Sequence, residues 1–406
     1  VGTLQAAWAA LNRAATPGTL TAIAGAVAAW QLFLGARFAL RLRAQALRPK
    51  TGFSPPVSLI VACKGQPRGF ERNIRSLLDQ DYPGVLEYLF VTPSAADPAH
   101  ARLAELLSGR PRARLLVSGA VPVRCSEKIL NMLHALRRAS AGSEVLAFAD
   151  CDIEVRPDWL SRLVAPLERP ETVASSAPSL YAADTLNPLQ SLRMAWMALV
   201  QCSLDYFGSV IGWSWAIRRV DFEGLGLEKV WSRSLTDDFV LNPLLRGTGR
   251  RIEWALLAMP VCRENPSAAE LLVPFIKGFQ YFRVNDPALW LMGGLEALGK
   301  LYLVLWFLRM GLPWRAALVP AADAAAALAA LRAAALYARE AARAVHPALR
   351  GPAGLLAAAA SAAAMTLLRP VVFAVSLVSR TVRWGGYLYD FRASDDCRVI
   401  GRAAAG

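Results

Sequence analysis

Phe148-Ala149-Asp150-Cys151-Asp152-Ile153-Glu154-Val155-Arg156-Pro157-Asp158 is the stretch on which the reading of the chain turns. The apolar run from Val145 to Ala149 stops at two carboxylates one residue apart. Alternate residues of an extended segment face the same way, so Asp150 and Asp152 can address one target. Hard oxygen ligands at the carboxyl end of a strand suit Mg²⁺ or Mn²⁺, ions that also hold phosphate oxygens. The same residues would serve equally as an acidic turn capping a helix that begins near Pro157.

Outward from this stretch, apolar runs alternate with helical periodicity. Val57 to Ala62, Tyr88 to Val91 and Ala113 to Val117 read as strands, and Gly69 to Leu78, Ala99 to Leu107 and Lys128 to Arg138 as helices. Such alternation predicts an α/β domain with a mostly parallel sheet and ligands outside the carboxyl ends of its strands. Lys64-Gly65, Asp97, Lys128 and the Asp150/Asp152 pair all fall at or near such ends.

The flanks predict a membrane. Of the 406 residues 55% are hydrophobic and the mean hydropathy is +0.33, high for a purely soluble protein. The formal net charge is +14, yet the basic residues flank apolar stretches (Arg37, Arg41, Arg43, Arg48, Lys50) rather than interleave with aromatics. That disfavours nucleic acid as a partner and favours an anionic bilayer. Gly18 to Leu40 is long enough for an uncleaved anchor, and the basic cluster after it places the α/β domain in the cytoplasm. Six scattered cysteines without a CxxC pair, and three histidines including His346, give no zinc set and no disulfide framework.

Leu289 to Leu308, Ala316 to Leu336 and Gly354 to Val378 are further candidate spans. The expected organisation is a membrane anchor with its basic flank (1–50), a catalytic domain (51–286), membrane helices (287–380) and a basic tail (381–406). An amphipathic helix near 189–207, interrupted by Arg193, Gln201 and Asp205, reads as lying in the membrane interface, with a buried core helix as the alternative. An anchor followed by three spans would leave the basic tail across the membrane, against the positive-inside tendency.

With these residues assembled, the chain resembles the membrane-bound family 2-type glycosyltransferases, and within them the ceramide glucosyltransferase-like branch, family 21, which includes hopanoid-pathway relatives. The resemblance spans roughly Pro56 to Asp286 and rests on several motifs in order. These are Lys64-Gly65, Asp79-Gln80-Asp81-Tyr82-Pro83, Lys128 with Asn131, Asp150 with Val155 to Asp158, Gly212-Trp213-Ser214, Asp237-Asp238-Phe239 and Gln280-Tyr281-Phe282-Arg283. Arg383-Trp384-Gly385-Gly386-Tyr387 resembles a basic-aromatic motif after the last helix. Two positions depart from the family pattern: Asp97 stands later than the aspartate expected after the second strand, and Val284 replaces a tryptophan.

The resemblance implies a GT-A-like (Rossmann-like) nucleotide-sugar domain between N-terminal and C-terminal transmembrane helices, in a bacterial-type inner membrane with the domain facing the cytoplasm. It implies inverting, metal-dependent transfer from a UDP-sugar to the hydroxyl of a membrane lipid, ceramide-like or alternatively hopanoid or polyprenyl. Asp238 would be the general base, with Asp237 beside it raising its pKa; Thr236-Asp237-Asp238 also reads as a helix N-terminus. Asp150 and Asp152 would hold Mg²⁺ or Mn²⁺. Lys64, Asp97, Lys128, Gln280 and Arg283 would face the donor, the two cations Lys128 and Arg283 toward its phosphates. Gly212, Trp213, Ser214 and Trp215 would face the acceptor, against the alternative of buried core tryptophans. The two departures motivate a reading of another class, a non-catalytic membrane-bound binding module.

Overall fold

The computed structural model describes residues 16–49, 51–182, 187–263, 266–337 and 352–403. The first fifteen residues of the expected anchor region, Lys50, His346 and the last three residues of the expected tail lie outside them.

Four parallel strands open the α/β domain: β1 (Val57–Ala62), β2 (Leu86–Thr92), β3 (Ala113–Val117) and β4 (Val145–Asp150). Helices α2 (Phe70–Leu78), α3 (Pro98–Leu107) and α4 (Glu127–Leu136) connect them, after an N-terminal helix α1 (Pro17–Leu47). β1 and β4 are buried on both faces, which is why they read as unbroken apolar runs. The chain then adds β5 (Ile153–Glu154), β6 (Thr172–Ser176), β7 (Leu180–Ala182), β8 (Ser214–Arg218), β9 (Arg251–Trp254) and β10 (Val261–Arg263), with α5 (Trp159–Val164) and α6 (Pro188–Phe207) between them. The seven-stranded sheet runs β3-β2-β1-β4-β8-β6-β9, and β5, β10 and β7 form a small second sheet.

Two features of this order place the site. The strand order reverses between β1 and β4, where Ala62 pairs with Asp150, and the crevice at such a switch point is where open α/β sheets bind ligands. β8 is antiparallel to β4, pairing Ala149 with Ser214, so the start of β8 meets the end of β4. The Asp150 N–H donates to the Trp213 carbonyl at 3.2 Å, which puts Gly212-Trp213 on the same rim as the acidic pair.

Among the described residues four helices are long and apolar enough to cross a membrane: α1, α8 (Pro287–Arg309), α9 (Leu318–Tyr337, with the short turn before it) and α10 (Pro352–Val378). α7 (Val273–Asn285) precedes α8. Gly35 of α1 meets Ala326 of α9 so closely that a Cβ would lie 2.7 Å from the Ala326 Cα. Small residues permit this approach, the usual currency of helix association in lipid. α10 returns to the domain, where the Trp290 indole N–H donates to Ser376 Oγ at 3.0 Å.

Three expectations are refined here. α6, expected as an interfacial helix with a buried core helix as the alternative, is largely buried, packed against α1, α9 and α10. The polar residues that suggested a wet face are spent inside the protein. Asp205 pairs with Arg37 and Arg41. The Gln201 amide exchanges hydrogen bonds with the Ser179 N–H and carbonyl at 2.7 and 2.8 Å, and Arg193 lies 4.8 Å from the Tyr181 ring centroid. The basic flank after the anchor is therefore partly an internal clamp, because Arg37 and Arg41 tie α1 to the domain. Residues 381–402 are not a tail: β11 (Thr381–Trp384), β12 (Tyr387–Ala393) and β13 (Asp396–Arg402) form an antiparallel sheet. Its edges hydrogen-bond to the catalytic domain, Val399 N–H to the Val123 carbonyl at 3.0 Å and Ser234 Oγ to the Ser394 carbonyl at 2.9 Å. The sheet is therefore packed against the domain.

Candidate active site

The rim of the sheet gathers four carboxylates and one ammonium group. Lys128, one residue into α4, reaches Asp150 Oδ1 at 2.7 Å and Asp237 Oδ1 at 3.0 Å. Asp238 accepts the Gly212 N–H at Oδ2 (2.7 Å) and the Phe239 N–H at Oδ1 (2.6 Å). Gly212 belongs here because a Cβ would lie 3.2 Å from Asp238 Oδ2 and 3.3 Å from both Asp237 Oδ2 and Lys128 Nζ. The indole N–H of Trp231 donates to the Asp237 carbonyl at 3.0 Å and fixes the loop.

Charge on this rim is unbalanced. Burial raises the Asp238 carboxyl pKa to about 7, with Asp237 adding to the shift and Lys128 and two backbone N–H donors opposing it. Asp150 is raised for the same first reason, with Lys128 opposing and Asp152 and Asp237 reinforcing. Burial works against the Lys128 ammonium, but Asp150 and Asp237 hold its pKa above the ordinary lysine value. Asp237 Oδ2 is buried without a hydrogen-bond partner. Three carboxylates facing one ammonium, with Asp152 acting on Asp150 from beside them, suit a divalent cation chemically. Among the described residues no three metal-ligating side chains converge on one point. Asp150 and Asp152 could hold such an ion together with further oxygens from water or a substrate.

A cavity of about 390 Å³ runs from Lys128, Asp150, Asp237 and Asp238 into the helix bundle. Its walls are apolar and aromatic, including Trp196 stacked on Phe275 with centroids 3.9 Å apart, and it ends against Trp30, Trp290, Glu296 and Arg369. Gly212 and Trp213 line it, whereas Ser214 and Trp215 do not. The strand alternation of β8 turns Trp215 into the core, fully buried and stacked on Phe148 at 4.5 Å between centroids. The buried Ser214 hydroxyl accepts the Trp159 indole N–H at 2.9 Å. Of the four expected acceptor-facing residues, two thus belong to the core.

The donor-side set divides similarly. Asp97 caps α3: its Oδ1 accepts the Ala99 N–H at 2.9 Å and the Gly65 N–H at 2.8 Å, pinning the loop after β1. Lys64 pairs with Glu127 and donates to the Gly385 carbonyl at 2.6 Å, joining that loop to the C-terminal sheet. Gln280 and Arg283 lie away from the cavity. Gln280 Nε2 donates to Ser379 Oγ at 2.8 Å, and Arg283 donates to the carbonyls of Ser376, Leu377 (3.1 Å) and Ser379 (2.8 Å). The open carbonyls and negative dipole end of α10 attract this guanidinium more directly than a distant phosphate would. Arg283→Ala should therefore destabilise the protein by about 1–3 kcal/mol while leaving the donor KM unchanged. Thermal unfolding and donor titration check this, and a raised donor KM at unchanged stability would return Arg283 to the donor site.

Among the cavity-lining residues that were not nominated individually as site residues are Lys277, Tyr281 and Trp384, the last two standing inside motifs already quoted. Burial, followed by the nearby Arg383 charge, lowers the Lys277 pKa. Its position three residues before Gln280, one helical turn away on α7, was the available signal. Trp384 had a signal in the basic-aromatic motif Arg383 to Tyr387, but only the folding of 381–402 back onto the domain brings it to the cavity.

The α/β domain with its acidic rim at the switch point, attached to membrane-length helices, defines a membrane-associated glycosyltransferase of GT-A-like architecture. The chain belongs to glycosyl transferase family 21, whose profile matches residues 16–396. Among solved structures it is similar to the mannosyltransferase PcManGT from Pyrobaculum calidifontis, determined in complex with GDP-Man and Mn²⁺. The identity is 20% and the TM-score 0.44, over 86% of this chain and 99% of that one. A structure described only as a mycobacterial protein is 16% identical with a TM-score of 0.36, over 60% of this chain and 77% of that one. No curated protein sequence matches.

Proposed function

We propose that this glycosyltransferase moves a sugar from a UDP-sugar to the hydroxyl of a membrane lipid, with a divalent cation at Asp150 and Asp152 and with inversion. The observation that carries the reading is the single cavity joining the acidic rim to the membrane-length helices. A lipid whose chain occupies the apolar part would present its hydroxyl to Asp238 at the other end. A ceramide-like or hopanoid acceptor is favoured over a polyprenyl phosphate, since an anionic headgroup would meet the carboxylates of the rim. The retained rim favours an enzyme over a non-catalytic binding module. The basic residues around α1 support a cytoplasmic domain in a bacterial inner membrane.

Asp238 takes the acceptor proton as the hydroxyl oxygen bonds to the anomeric carbon, and the carbon–oxygen bond to the diphosphate breaks with its electron pair leaving on UDP. Lys128 holds Asp150 and Asp237 in place and places positive charge beside the leaving group. A divalent cation held by Asp150 and Asp152 would supply Lewis-acid stabilisation of the diphosphate. Gly212 leaves the room beside Asp238 that a larger residue would fill.

Purified protein in bilayer discs, incubated with a panel of UDP-sugars and a total lipid extract, tests the reading. A sugar-modified lipid identified by mass spectrometry is the expected product, and UDP release without any lipid product would overturn it. A base acts only when ionised, so the raised Asp238 pKa gives kcat/KM an acidic limb. Activity should fall about tenfold per unit below a midpoint near 7 and stay level above it. A profile flat from pH 5 to 8 would remove Asp238 from the proton transfer.

A further inference from the structure

The membrane end of the cavity carries charge the transfer chemistry does not use. Glu296 and Lys300 of α8, Asp323 of α9, Arg369 of α10 and Gln31 of α1 form one network. Gln31 Nε2 donates to Glu296 Oε1 at 2.6 Å, Lys300 Nζ lies 2.6 Å from the same oxygen, and Arg369 Nη2 donates to Glu296 Oε2 at 3.0 Å. Lys300 also reaches Asp323 at 2.8 and 3.1 Å. The two halves differ. Lys300 and Asp323 are each about 2% exposed and satisfy one another, whereas Gln31, Glu296 and Arg369 line the cavity.

Glu296 has both oxygens engaged, but Arg369 does not spend its donors. A guanidinium carries five N–H groups; one nitrogen of Arg369 is hydrogen-bonded, and its Nε is buried without a partner. Ionisable groups at this depth in a helix bundle mark substrate pathways more often than they stabilise it. Glu296 lies about 15 Å along α8 from Asp286, given a rise of 1.5 Å per residue.

We infer that Arg369, oriented by Glu296 and Gln31, is a specificity site that recognises a neutral oxygen acceptor, a carbonyl or hydroxyl, on the acceptor lipid at a fixed distance from its reacting hydroxyl. The inference rests on the proposed lipid acceptor and names its chemical class. The four charges of the network balance, two acids against two bases, so a neutral oxygen can fill the spare N–H positions without cost, while a phosphate would be repelled by Glu296.

The test uses the full-length protein in bilayer discs with long-chain primary alcohols that carry one keto group at successive positions, beside the plain alcohol. The wild type should turn over one keto position best, about tenfold or more above the plain alcohol and mainly through KM. Arg369→Met should flatten this preference while keeping turnover of the plain alcohol, and Arg369→Lys should restore part of it. A flat wild-type profile overturns the inference. So does a variant that loses plain and keto alcohols in equal proportion, the mark of a structural role, or a long-chain alkyl phosphate bound more tightly than the keto alcohol. Native mass spectrometry of alcohols retained by the protein reads the same preference without turnover. A wild type that retains the keto alcohol selectively but glycosylates nothing would sink the transfer reading and leave this site standing.

Discussion

Asp238→Asn should lower kcat by about 10²–10⁴-fold, the usual worth of a positioned general base, with donor binding near that of the wild type. The carboxylate is held from two sides by the Gly212 and Phe239 N–H groups, so its orientation is set before any acceptor arrives. Asparagine keeps one of these hydrogen bonds through its oxygen and turns an amide toward the other, leaving shape nearly intact and basicity gone. Donor titration and single-turnover transfer separate the two effects, and turnover within a few-fold of wild type would dismiss Asp238 as the base. Asp237→Asn makes a sharper companion. It removes the negative charge that helps raise Asp238, so the acidic limb of the pH profile should move to lower pH.

The second large effect concerns Asp150. Asp150→Ala should raise the metal concentration needed for donor binding at least tenfold and lower kcat/KM by about 10²–10³-fold. Lys128 would lose the shorter of its two carboxylate contacts and keep only Asp237 at 3.0 Å. The rim would keep three carboxylates but lose the one that stands at the end of β4, beside the switch point where the diphosphate is expected. Donor binding measured against Mg²⁺ and Mn²⁺ concentration decides it; an unchanged requirement would place the cation elsewhere or remove it from the reaction.

The strands and helices of the catalytic domain were legible because their signals are local. Val57–Ala62 and Val145–Asp150 are buried on both faces and read as unbroken apolar runs. The helices expected over Ala99 to Leu107 and Lys128 to Arg138 are present, and Asp97 and Ser126 cap their starts. Asp150, Asp237 and Asp238 could be nominated together because a rim of carboxylates is a chemical pattern as well as a structural one. Gln280 and Arg283 are engaged away from the cavity for a physical reason. A guanidinium satisfies helix-end carbonyls as well as phosphates, and only the return of α10 to the domain supplies those carbonyls.

The order of hydrophobic and charged residues along this chain determined by itself an α/β sheet with an acidic rim and flanking helices long enough for a bilayer, since strand burial, caps and apolar length are properties of contiguous residues. The tertiary structure alone decided which polar groups are spent and which face the cavity. Trp215 was turned inward by strand parity, α6 was buried by the helices packed around it, and residues 381–402 were folded onto the domain. Arg369 was left with donors to spare beside Glu296, residues 73 positions apart in sequence. Such pairings depend on which distant segments meet, and no local pattern encodes that.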